Sequence, residues 1–122
     1  MELTLGQQIY FDTFDIHLSF KKSFLLPSDG RRFGETTVIN EIGFLYQALG
    51  YEVLLFTENI LTEEMFATKY ISDVKDLFGI KLDNCIAVFD GYNLTPDYEK
   101  NEIIQRLECL KIPYVGFARL YI

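Results

Sequence analysis

SFLLPSDGRRFGETTVINEIGFLYQALGYEVLLFT, residues 23–57, sets the architecture expected of this chain. It opens with an apolar stretch over 23–27, too short for a helix and closed by Pro27. A polar, glycine-bearing loop, SDGRRFGE, follows, with Ser28-Asp29-Gly30 turning the chain. From about Thr36 to Leu49, Val38, Ile42, Leu45 and Leu49 recur at helical spacing, and Ile39 and Tyr46 widen the stripe. Gly50 supplies a left-handed stop and Tyr51 the apolar residue beyond it. Val53-Leu54-Leu55-Phe56 is then apolar without alternation, the mark of a strand covered on both faces. Strand, loop, helix and strand in this order form a β-α-β unit of a parallel sheet. In such sheets ligands lie where strands feed helices.

Outward from this unit the alternation continues. Thr62 is placed to cap a helix with Glu63 and Glu64 in its first turn and a stripe of Phe66, Tyr70 or Ile71, Val74 and Leu77-Phe78, ended by Gly79. Cys85 to Phe89 reads as a third core strand closing on Asp90. Thr95 and Pro96 open a further helix whose buried face is Ile103, Ile104, Leu107 and Leu110, and Pro113 starts a last strand, Tyr114 to about Ala118. Upstream, Phe14, Ile16, Leu18 and Phe20 alternate with Asp15, His17 and Ser19, a period-two pattern that predicts an additional strand within residues 1–22, its edge guarded by Lys21-Lys22. The expected fold is a single Rossmann-like, flavodoxin-like three-layer α/β domain over 1–122. Its sheet is mostly parallel, with an N-terminal strand extension (1–22) before a β-α-β-α-β-α-β core (23–122). Larger domains of this architecture continue with another helix, so the chain reads either as a small complete domain or as a piece of something longer.

The composition narrows the function classes. The 122 residues carry a net charge of -7, which argues against passive binding to nucleic acid or anionic lipid and suits a basic protein partner or simple solubility. Eleven Phe and eight Tyr point chiefly to core filling, with any surplus available for self-association or a protein partner. Cys85 and Cys109 form no CxxC and have no neighbouring His; two reduced, buried thiols are expected, and no metal. No cationic leader opens the chain and no apolar run approaches the ~20 residues of a membrane span, so a cytoplasmic protein is expected.

Three loops that follow strands gather the candidate chemistry. In the first, Ser28, Gly30, Arg31 and Gly34 are placed to bind a phosphate-bearing cofactor or substrate. The glycines let backbone approach it, the arginines offer charge-assisted contacts, and the next helix offers free N–H groups. The loop is neither a Walker sequence nor GxGxxG, and Glu35 opposes an anion there. In the third loop, Asp90 ends a strand and with Asn93 can hydrogen-bond the hydroxyls of a ribose or sugar; turn formation by Asp-Gly is the plainer alternative. Glu102, on the following helix, can act as base or nucleophile on a sugar, or stand as one exposed carboxylate among Glu99, Lys100 and Glu108. His17 is the single histidine, and no Ser-His-Asp arrangement is supported.

Two resemblances bear on these residues. Over 23–122, the strand, the loop with Gly30 and Gly34, the helix, GYEVLLFTEN at 50–59 and LKIPYVGF at 110–117 resemble the N-terminal half of a two-domain, GT-B type glycosyltransferase. That resemblance implies a module that binds a nucleotide-sugar or sugar-related ligand at the C-terminal edge of its sheet, this half helping to bind the acceptor while the donor nucleotide-sugar lies mainly in a second domain. The stretch 50–117 is also similar to TIR domains and nucleoside deoxyribosyltransferases: GYEVLLFTENI matches their second strand, and VFDGYNLTPDYEKNEI, 88–103, matches the segment in which a tryptophan precedes a catalytic glutamate by four residues. Tyr98 and Glu102 stand at those positions, tyrosine replacing tryptophan, and the implied reaction is cleavage of an N-glycosidic bond in NAD or a nucleoside. A third expectation is a non-catalytic acidic interaction domain that keeps the fold without a site.

Overall fold

A computed structural model of the chain describes residues 3–27, 34–57, 69–71, 84–94 and 101–120. Helix α1 (Leu5–Ser19) leads into strand β1 (Phe24–Pro27), helix α2 (Glu35–Ala48), β2 (Glu52–Thr57), β3 (Lys69–Ile71), β4 (Cys85–Leu94), α3 (Glu102–Cys109) and β5 (Tyr114–Leu120). The five strands form one sheet in the order β1-β5-β4-β2-β3, and every pairing is parallel. β1 and β2 are therefore not neighbours: β5 and β4 lie between them, and the connection through α2 spans that width. β1 is an edge strand, which suits Pro27, whose missing N–H would break a ladder on a central strand.

Helices cover both faces. Phe14 and Leu18 of α1 and Val38, Ile39, Ile42 and Tyr46 of α2 pack on Val53, Leu55, Ile86, Val88, Val115 and Phe117. On the other face Ile103, Ile104 and Leu107 of α3 pack on Leu54, Phe56, Ala87, Phe89, Tyr92 and Tyr114. The alternate residues of β1, β2, β4 and β5 supply the two sets, as a sheet buried on both sides requires. This is the Rossmann-like three-layer α/β domain expected from the apolar strand runs. Aromatic rings knit each layer: Phe14 meets Phe117 edge-on at 5.2 Å, and Phe56 stacks on Phe89 at 4.6 Å.

Several local expectations are corrected. The alternating segment 14–20 is not a strand but the C-terminal half of α1. Thr4 caps that helix reciprocally: its hydroxyl accepts from Gln7 N at 3.2 Å and its own N–H donates to Gln7 Oε1 at 2.9 Å. The alternation misled because α1 is apolar on two faces. Phe14 and Leu18 are buried, while Ile16 and Phe20 are 57% and 72% exposed. Lys21 and Lys22 guard no strand edge; they close α1, Lys21 N–H bonding to Leu18 O at 2.9 Å and Lys22 N–H to His17 O at 2.8 Å.

Residues 69–71, expected within a helix, form β3 on the edge beside β2, with Leu55 opposite Tyr70; the rest of that expected helix lies outside the described residues. α3 is capped by Asn101, whose Oδ1 accepts from Ile103 N at 2.9 Å; Thr95 and Pro96, expected to open this helix, lie outside the described residues. Its buried face is the expected one, Ile103, Ile104 and Leu107, with Leu110 packed partly against it. Of the two free thiols Cys85 is buried, but Cys109 is exposed. No helix among the described residues is long and apolar enough to cross a membrane.

Candidate functional site

The C-terminal rim of the sheet is shaped by a bulge in β4. Up to Phe89 the strand is regular: Ile86 and Val88 face α1 and α2, and Cys85, Ala87 and Phe89 face α3. Continued alternation would turn Tyr92 and Leu94 toward α2. Instead the register shifts between Asp90 and Tyr92, and both Tyr92 and Leu94 are buried on the α3 face. Gly91 absorbs the extra residue at φ 66, a left-handed backbone that glycine adopts at little cost. Asp90 thus does not close the strand as expected, and Asp90-Gly91 is no reverse turn. The strand runs on to Leu94 alongside β5.

The bulge leaves the Asp90 side chain at the first turn of α2. Thr36 Oγ1 donates to Asp90 Oδ2 at 3.0 Å and to Oδ1 at 3.2 Å. Burial pushes the Asp90 carboxyl above its usual range, while the Thr36 hydrogen bond and the positive charge of Arg119 pull it part of the way back. Arg119 comes from β5, opposite Asn93 in the register, and its Nε passes 3.8 Å from the point where a Cβ on Gly91 would sit. Three elements therefore meet at the rim: β4 brings a half-buried carboxylate, α2 a hydroxyl, and β5 a guanidinium.

Close backbone approach makes this possible. Gly116, φ 139, lies against the Phe89 peptide; a Cβ there would fall on the Phe89 carbonyl oxygen and within 2.6 Å of Phe89 N. Gly34, the N-cap of α2 at φ 83, is also tightly placed. The space beside it holds the side-chain amide of Gln7, which donates to Gly34 O at 3.4 Å. Gln7 thereby ties the start of α1 to the start of α2.

Of the sequence-nominated residues, Asp90 sits at the rim with Gly34 at the mouth of α2. Asn93 lies in the projecting end of β4. Ser28, Gly30, Arg31 and Tyr98 lie outside the described residues. Glu102 is exposed on the first turn of α3, which packs on the opposite face of the sheet from Thr36 and Arg119. Asp90 thus lies on the α2 side of the sheet, and Glu102 on the helix that covers the other side. Open parallel sheets bind ligands beyond the carboxyl ends of their strands, the rim on which Asp90 lies. Thr36 and Arg119 were not singled out by sequence: Thr36 read only as a helix start, and Arg119 lies just past the expected end of its strand.

The opposite edge carries a cavity of about 140 Å³ lined in part by Lys21, Tyr51, Asn84, Cys85 and Lys111. Lys21, Asn84 and Lys111, at φ 56, 55 and 58, are the non-glycine residues with left-handed backbone among the described residues. Two of them occupy the position just beyond a helix, where glycine is the usual choice.

No protein-family model, curated protein or solved structure matches this chain.

Proposed function

We propose that this domain binds the sugar of a nucleotide, nucleotide-sugar or nucleoside at the C-terminal rim of its sheet, with Asp90 accepting hydrogen bonds from the sugar hydroxyls. The observation that carries this reading is the half-buried Asp90 carboxylate, oriented by Thr36 at the C-terminal rim of a parallel sheet. A carboxylate so placed retains acceptor positions beyond the one hydroxyl that holds it. Asn93 and Gly34, with Ser28, Gly30 and Arg31 of the preceding loop, belong to the same proposed contact zone. As a glycosyltransferase-like module, the domain would present the sugar to a reacting partner held by another domain.

A second reading, cleavage of an N-glycosidic bond, draws on the two nominated carboxylates, Asp90 in β4 and Glu102 on α3, the helix that follows it. Asp90, whose carboxyl is raised, suits proton donation or hydroxyl binding, and exposed Glu102 suits attack on the anomeric carbon. Calorimetric titration with nucleosides, nucleoside phosphates and nucleotide-sugars tests the shared premise, and chromatography of the same mixtures after incubation separates the readings. Binding without turnover that is lost in Asp90→Asn supports the module. Release of free base that is lost in Glu102→Gln supports the N-glycosidase. Absence of heat with every ligand rejects both and leaves the non-catalytic interaction domain.

A further inference from the structure

α1 is buried along one side and apolar along the other. At about 100° per residue, its buried residues Gln7, Phe14 and Leu18 lie on one arc. Leu5, Ile9, Ile16 and Phe20 fall on a second arc, about 60° wide and diametrically opposite. These four are 81%, 58%, 57% and 72% exposed. A contiguous outward apolar stripe of this kind marks an interaction surface.

The spacing of the stripe identifies that cover. Read in either direction from the Asp12–Thr13 bond, the pattern is the same: Ile9 and Ile16 stand equally far from the midpoint, and so do Leu5 and Phe20. A second copy laid antiparallel would set Leu5 against Phe20 and Ile9 against Ile16 at both ends, the self-complementary match that a two-fold interface requires. Antiparallel helices also oppose their dipoles favourably. From the exposed fractions, the stripe offers roughly 500 Å² per protomer, against the ~800 Å² per partner of a standard interface. We infer that this face of α1 pairs with α1 of a second copy in an antiparallel, two-fold dimer, a weak one given its area.

The arrangement carries a built-in restraint. Asp12, bonded by Gln8 Nε2 at 2.9 Å, lies beside the midpoint of the stripe. A two-fold axis perpendicular to the helix pair keeps like flanks on the same side, so Asp12 faces its own symmetry mate. The dimer is accordingly weakened by like-charge repulsion, and salt or neutralisation of Asp12 tightens it.

Sedimentation equilibrium of the full chain across the micromolar range, with Cys109→Ser to remove the exposed thiol, tests the inference. The expected result is a concentration-dependent dimer, lost in Ile16→Lys with an unchanged thermal melt and tightened severalfold in Asp12→Asn. Orientation is read by oxidative cross-linking. Asp12→Cys forms a disulfide dimer, whereas Leu5→Cys does not, because an antiparallel pair holds the two copies of residue 5 about 22 Å apart. A chain that stays monomeric throughout, or a Leu5→Cys variant that cross-links as readily as Asp12→Cys, overturns the proposal.

Discussion

The hydroxyl of Thr36 and the carboxylate of Asp90, 54 residues apart in sequence, are joined at 3.0 and 3.2 Å, so the first turn of α2 is fastened to the far end of β4. Asp90 is held in a setting that resists its charge. Its native carboxyl lies above its unfolded value, so the stability it contributes is full at low pH and is lost as pH rises through the native value. At neutral pH, Asp90→Asn therefore stabilises the fold, raising the midpoint of a thermal melt. Under the proposed sugar-binding role, the same variant is expected to lose sugar affinity about tenfold to a hundredfold, the weight of a hydrogen bond to a charged group. Melts and calorimetry on one preparation check both signs.

Arg119 acts on the same carboxyl through its charge. Arg119→Ala removes one of the two influences that lower the Asp90 carboxyl, so its titration moves further upward. Carbon-detected NMR of the Asp90 side chain reads the shift, and Arg119→Lys restores most of it.

At Gly116 a methyl group has nowhere to go. Gly116→Ala forces the β4 and β5 backbones apart at Phe89 and occupies a positive φ, so we expect a loss of about 3 kcal/mol or more. Urea denaturation measures it.

Tyr46 joins the two helices of one layer: its hydroxyl donates to Asp15 Oδ1 at 2.7 Å. Burial, first, and then the Asp15 carboxylate push the phenol up to about 12, against the lowering effect of Ser19. A raised phenol contributes stability below its unfolded value of 10.0 that is lost as pH rises toward 12. The wild type loses stability across that window; Tyr46→Phe flattens this part of the profile and costs about 1.5 kcal/mol at pH 7.

The left-handed lysines give a prediction of opposite sign. Lys21 and Lys111 adopt a conformation that costs a side-chain-bearing residue roughly 1 kcal/mol and glycine almost nothing. Lys21→Gly and Lys111→Gly are each expected to raise stability by up to about 1 kcal/mol in urea titrations.

Much of the layer structure was legible because apolar runs in β2, β4 and β5 lack alternation and the stripes of α2 and α3 are regular. Strand order was not, since no local pattern tells β1 that its neighbour is β5. α1 was misread because a helix with two apolar faces imitates the period of a strand over 14–20; the capping pair Thr4 and Gln7 was the signal that would have corrected it. At the rim Asp90 was found by its place after an apolar run. Its partners were not, because the bulge at Gly91 and the crossover that delivers Thr36 arise from tertiary geometry.

The pairing of β1 with β5 has a consequence for biogenesis. Phe24 aligns with Val115, Ser23 Oγ accepts from Tyr114 N at 3.1 Å, and the rings of Tyr10 and Phe14 rest on Phe117. α1 and β1 thus have their docking strand some way further along the chain, Tyr114 lying 91 residues beyond Ser23. Until β5 has been synthesised, the side of α1 that rests on Phe117 stays uncovered, and closing this long-range contact is a slow, aggregation-exposed step of folding.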